Sequence, residues 1–475
     1  MSERAARLAL LATLVLAAGA AAAHTSERGL VMLLPTGLYI LGGALAVGLS
    51  FVILALVPSR GFTWLTPLRW PVAAIPDAAP LWPSAVALLI YIALVHAGFA
   101  GTRDPLANPL PPVLWSLWWV GFTYAVALFG DLWRLVNPWR ALHRIATALP
   151  GLSAWRERPP FAYPLPLGRW PAVIAFLAFA WFELIHPAPM DPAVLATACT
   201  IYALVTLAGT LAFGLAPWLG NAEAFSVFFR MVGGLSAFTV LERDASSSRR
   251  RLAIGIPCAG LFRMDRLDLG MVAFVLLALG TVSFDGLALT FWWLALVGEN
   301  PLEFPGRTSL VAVNSLGLVA TWLVLAAAYS VAVHAGGALA RAAKAPSFNR
   351  YVMSIVPIAF AYHFAHYLPF FLVDGQHALR ALSDPFGLGW NLLGFRDWHV
   401  TASFLAQHHT VHAIWNLQVA AIVLGHVAAV CIAHAIALEE LGEVRAALLS
   451  QAPMTVLMVG YTVFGLWLLS TPVVG

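Results

Sequence analysis

Apolar stretches long enough to cross a bilayer recur along the chain with few polar interruptions. They fall at residues 31–57, 82–99, 112–130, 169–187, 192–215, 269–290, 309–332, 351–371, 410–437 and 453–471. A transmembrane helix needs about 20 mostly apolar residues to cover about 30 Å of hydrocarbon. The pattern therefore predicts an all-α fold, a polytopic membrane bundle of about ten helices. Ahead of them, residues 1–23 carry Arg4 and Arg7, an apolar middle and then Ala21, Ala22 and Ala23. These are the three parts of a secretory signal peptide. Cleavage after Ala23 would leave residues 24–475 as a single transmembrane domain beginning at His24.

Composition agrees with the pattern. Of 475 residues, 61% are hydrophobic and only 10% charged, and the mean hydropathy is +0.83. A soluble chain carries roughly 25% charged residues, so a water-facing surface cannot be built here. A nucleic-acid binder and a disordered chain are excluded on the same ground. Cys199, Cys258 and Cys431 share no motif spacing and lie in or beside apolar segments, which argues against a disulfide framework.

The net charge of +4 is nearly all arginine, since Lys344 is the only lysine. The positive groups cluster at Arg60 and Arg69, Arg134–Arg158, Arg243–Arg251 and Arg341–Arg350. Each cluster follows an odd-numbered span, as expected when cationic loops stay inside. The reading is a multi-pass protein of the cell membrane with its mature N-terminus outside. Residues 131–149 mix tryptophan and arginine as an interfacial helix does. Residues 222–240 are apolar around Arg230 and fit a short re-entrant or surface helix; a full span there would invert every later assignment. Residues 373–409 are too long for a plain connection and are expected to cap the outer ends of the bundle.

Ionisable groups inside hydrocarbon are costly and mark function by default. Glu183 and His186 end the fourth span, Asp285 lies in the sixth, and His363 and His366 lie in the eighth between Tyr362 and Tyr367. His408, His409 and His412 open the ninth. All are expected at similar depth toward the outside, the side of His24. Imidazoles with a carboxylate suit copper or zinc. An N-terminal His24 would add both its amine and its ring, a chelate suited to copper. The metal-ligand candidates are thus His24, His186, His363, His366 and His412, with Asp285 or Glu183 as a catalytic base. The plain alternative is interhelical hydrogen bonding. Gln418, His426 and His434 lie deeper on the ninth span and could line an ion or proton path. No Walker motif and no glycine fingerprint for a dinucleotide or flavin is present, and no regular histidine pairing marks a haem.

The phrases AWFELIHP, GNAEAFSVFFR, TVSFDG, AYHFAHY, SDPFGLGWNL, WNLQVAAIVLGHVAAV and QAPMTVLMVGYTVFGLWLL carry a resemblance. In them the chain resembles the bacterial membrane proteins named fenitrothion hydrolases, over nearly its whole mature length. The family-like positions are His24, Asp285, Tyr362, His363, His366, Tyr367, Asp384, Gln418, His426 and Gln451. Relatives typically follow the first histidine with glycine, whereas this chain has Thr25. The resemblance implies metal-dependent hydrolysis of an organophosphorus ester in the bacterial inner membrane. Two competing readings are a copper-handling or transport protein served by a metal donor, and a non-enzymatic assembly partner of other membrane proteins.

Overall fold

A computed structural model describes residues 36–56, 69–76, 79–240, 249–264, 267–303, 306–341, 347–471 and 473. The expected signal peptide and His24 lie outside the described residues. Among those described, nine helices have the length and apolar character to cross a membrane. They are α1 (Thr36–Leu56), α2 (Trp82–Ala100), α3 (Leu110–Phe129), α6 (Pro192–Phe213), α8 (Leu269–Ala288), α9 (Arg307–Ala340), α10 (Phe348–Ser383), α11 (His408–Leu441) and α12 (Val444–Ser470). The tenth expected span is α5 (Trp170–Leu184), only 15 residues. At 1.5 Å per residue it is about 22 Å long, shorter than the hydrocarbon layer.

Burial ranks the helices from centre to rim. In α8, 72% of the apolar window is buried, against 17% in α1. The central helix is thus hydrophobic all round, and the peripheral one offers Leu38, Leu41, Leu45 and Ile53 outward. Close crossings use small residues, as helix pairs in lipid do. A Cβ at Gly336 on α9 would run into the Ser450 backbone of α12, and one at Gly465 on α12 into the Tyr362 phenol of α10.

The segment at 222–240 does not span. It forms α7 (Ala224–Gly233), ten residues with eight of them buried, about 15 Å long. Glu223 caps it by accepting from the Phe225 and Ser226 amides at 3.1 and 2.7 Å. Tyr202 donates to the same carboxyl.

A three-stranded antiparallel sheet follows, which the hydropathy pattern did not reveal. Its strands are β1 (Arg69–Pro76), β2 (Phe238–Val240) and β3 (Arg249–Gly255), in the order β1-β3-β2. Arg69 pairs with Gly255, and Ile75 with Arg250. The sheet gathers two of the arginine clusters at one end of the bundle. The expected interfacial segment breaks at Asn137 into a single turn (Trp133–Val136) and α4 (Pro138–Ala146). Asn137 caps α4 through the Trp139 amide at 2.9 Å and donates to Ser226 on α7 at 3.0 Å.

At the opposite, distal end, the expected cap begins differently from the sequence reading. Residues 373–383 are the last turns of α10, and irregular turns start only at Asp384. Pro369 lies inside α10 and lacks the amide that would bond the carbonyl four residues back. That carbonyl, of Ala365, accepts from the Gln418 side chain of α11 at 2.6 Å.

Candidate active site

Three helices bring ionisable groups together: the ends of α5 and α8 meet the middle of α10. Glu183 is the second-last residue of α5, whose helix stops before Pro187 because the residue preceding proline is driven from helical geometry. Asp285 lies three residues from the end of α8. His363, His366 and Tyr367 lie on α10, one turn before Pro369. Hydrophobic neighbours fix each helix, so the polar side chains meet without a loop to adjust them.

The geometry is a chain of four groups. His366 Nε2 stands 2.9 Å from Asp285 Oδ2. The Tyr367 hydroxyl is 2.7 Å from the same Asp285 oxygen and 3.0 Å from Glu183 Oε1. A phenol has one proton and can donate it once. If both carboxyls were ionised, one contact would oppose two acceptors. A proton on one carboxyl, donated to the phenolic oxygen, would satisfy both contacts without dividing the phenol proton between two acceptors. The cluster is a continuous hydrogen-bonded chain across α5, α8 and α10.

Its access is one-sided. The His366 side chain remains 31% exposed, with its Nδ1 edge toward Gly286. His363 is buried, and its Nε2 has no hydrogen-bond partner. The His363 ring stands 5.1 Å from that of Trp119 and 4.8 Å from that of Tyr367. Beside His363 and Tyr367 is a cavity of about 20 Å³, lined also by Trp119, Thr123 and Thr281, which is room for one water.

Two supports were not visible in the sequence reading. Residues Val113–Phe122 of α3 wind as a π-helix, a form rare elsewhere and frequent at functional sites. That stretch carries Trp119 to the His363 ring. At the start of α9, Arg307 donates to the Glu183 carbonyl at 2.7 Å. It holds the end of α5 against the cluster. The available signal was an arginine at the distal end, away from the other clusters.

Other expected site residues fall elsewhere. His186 lies beyond the end of α5; its Nδ1 accepts from the Ala188 amide at 3.1 Å and its ring stacks on Phe182. It does not share a helical face with Glu183. His412 pairs with His408, ring centres 4.4 Å apart, at the start of α11. Asp384 accepts from the Leu388 and Gly389 amides and shapes the loop after α10. Among the described residues, no three His, Cys, Asp or Glu side chains are grouped to hold a metal ion. In the cluster, the facing atoms of Asp285, His366 and Glu183 are directed at one another and at Tyr367, not at a common point.

The deeper set is not a continuous wire. Gln418 serves the Ala365 carbonyl, and His426 Nδ1 bonds Ile422 O of its own helix at 2.8 Å. His426 Nε2 is buried without a partner. Gln451 reaches His434 Nδ1 at 3.1 Å. Tyr362 donates to the Tyr461 carbonyl at 2.7 Å, and Tyr461 meets Ser283. These bonds tie α8, α10, α11 and α12 together between the cluster and the arginine-rich end. Comparisons with family models, with curated proteins and with solved structures gave no match for this chain.

Proposed function

We propose that this membrane protein is a hydrolase whose general base is His366, oriented by Asp285. The observation that supports this reading is the 2.9 Å contact between His366 Nε2 and Asp285 Oδ2, on an imidazole side chain that is 31% exposed. With a carboxylate accepting from Nε2–H, the imidazole keeps its lone pair on Nδ1. That nitrogen takes a proton from water as the water oxygen adds to the electrophilic centre. The ester bond breaks, and the proton passes from the imidazolium to the departing oxygen. Tyr367 and Glu183 hold Asp285 in place and supply the neighbouring exchangeable proton. An apolar organophosphorus ester, the substrate class implied by the sequence resemblance, would reach the site from the bilayer.

A second reading, proton or ion transport, draws on a separate observation. His363 and His426 each bury an unpartnered ring nitrogen between the cluster and the opposite end. One preparation distinguishes the two readings. The purified full-length chain in liposomes is assayed for release of a coloured phenol from a phosphotriester and for proton flux with an entrapped pH dye. Hydrolysis that falls about 100- to 10,000-fold in His366→Gln supports the enzyme. Flux without hydrolysis supports transport and overturns it.

A further inference from the structure

The loop between Asp384 and Arg396 is framed by internal hydrogen bonds and turns several apolar side chains outward. The Asp384 carboxylate accepts from the Leu388 and Gly389 amides at 2.8 and 2.9 Å. Leu392 N–H and Phe395 N–H return to Ser383, through its carbonyl and hydroxyl. Arg396 donates to the Gly389 carbonyl at 2.8 Å, and its amide donates to Asn391 Oδ1. Gly387, Gly389 and Gly394 take positive φ of 67°, 85° and 80°, which bends the backbone around these bonds where a Cβ would be strained.

The outward face is large and uncharged. Leu388, Trp390, Leu392 and Leu393 are exposed, from 43% for Trp390 to 64% for Leu388. No charged residue lies between Asp384 and Arg396. Exposed apolar patches of this kind mark interaction sites. The location favours lipid over protein. The Phe386 ring stands 5.9 Å from that of His96, one turn before the end of α2. On that same turn Phe99 is exposed, continuing the row of Leu89 and Ile92 on a membrane-crossing helix. The loop thus continues a lipid-facing surface at the depth where tryptophan belts occur.

We infer that residues 386–395 form an interfacial anchor that inserts Leu388, Trp390, Leu392 and Leu393 into the headgroup–acyl boundary at the distal face. Backbone entering such a region is cheaper when its polar groups are bonded, and the Asp384–Arg396 frame bonds the Leu388, Gly389, Leu392 and Phe395 amides. The anchor pins the outer turns of α10 beside α2. It stands independently of the hydrolase reading.

The test uses the full chain in phosphatidylcholine nanodiscs. Trp390 emission is isolated as the difference between the wild type and Trp390→Phe. The expected result is quenching of that component by lipids carrying a nitroxide near the headgroup, and protection from aqueous iodide. Quenching by iodide without effect of the lipid nitroxide places the loop in water and overturns the proposal. Protection from both quenchers means a protein covers it, a second copy included, and also overturns it. Should Trp390→Phe fold poorly, a nitroxide on Leu392→Cys reads the same depth from its accessibility to oxygen and to a water-soluble nickel chelate. The wild type labelled at its own cysteines supplies the background.

Discussion

The side-chain amide of Gln418 donates its 2.6 Å hydrogen bond to the carbonyl of Ala365, the group left free by Pro369 four residues on. The contact satisfies a carbonyl beside Pro369, two residues past Tyr367 on α10. Gln418→Leu strands that carbonyl in an apolar bundle, at a cost of about 1–3 kcal/mol. Pro369→Ala restores the helical amide and makes Gln418 dispensable. Thermal unfolding of the two single variants and the double variant should therefore be non-additive, the double being more stable than the sum of the singles. Additive losses would show that Gln418 does not serve the carbonyl left by Pro369.

Gly465 and Tyr362 share one space. A Cβ at residue 465 falls inside the phenol, so Gly465→Ala must displace the ring and break its 2.7 Å bond to the Tyr461 carbonyl. Overpacking of this kind costs about 1–3 kcal/mol or more. Adding Tyr362→Leu should recover part of the loss, measured as detergent-solubilised stability. A Gly465→Ala protein as stable as the wild type would contradict the close crossing of α10 and α12.

Asp191 caps α6 through the Ala193 and Val194 amides and pairs with Arg103 at 3.0 Å. The Val194 amide, then the Ala193 amide and the guanidinium, hold its carboxyl below its usual value, against a smaller opposing effect of burial. A depressed value in the folded state gives stability that is present above the unfolded value, about 3.9, and is lost as pH falls through the folded one. Asp191→Ala should cost about 1 kcal/mol at neutral pH. The gap should narrow below about pH 4, because the wild type loses its advantage there. A gap that widens on acidification would reverse the sign and refute the cap.

Tyr367→Phe removes the hydroxyl between Glu183 and Asp285. Two carboxyl oxygens then lose their shared partner, and the cost in stability is about 1–3 kcal/mol. The pH–rate profile of any activity should shift, because the neighbouring exchangeable proton of the His366–Asp285 pair is gone. A merely structural tyrosine would lower stability and leave the profile where it was.

The helices were legible because a bilayer leaves few solutions for runs of 20 apolar residues. Asp285, Glu183, His363 and His366 stood out because ionisable side chains are rare in such runs. Their partnership was not legible. Glu183 and His186 end the same apolar span, but α5 stops at Leu184 ahead of Pro187, so the two do not share a helical face. Tyr367 appeared as a neighbour of the histidines, while its role as the link depends on how α5 and α8 meet α10. The π-winding of α3 that carries Trp119 has no hydropathy signature. The β-sheet was missed because its strands are short and arginine-rich, with no clean alternation. The bond from Gln418 to the Ala365 carbonyl had no sequence signal, because it joins α11 to α10 across 53 residues.

The contacts of Tyr367 with Glu183 and Asp285 are best satisfied when one carboxyl of the pair is protonated. Infrared spectroscopy of the full chain in lipid at neutral pH tests this most directly, by the carboxylic C=O stretch and its shift in deuterated water. The account predicts a protonated-carboxyl band that is lost or displaced in Glu183→Gln, Asp285→Asn and Tyr367→Phe. A spectrum without such a band, or a band unmoved by all three substitutions, would contradict it.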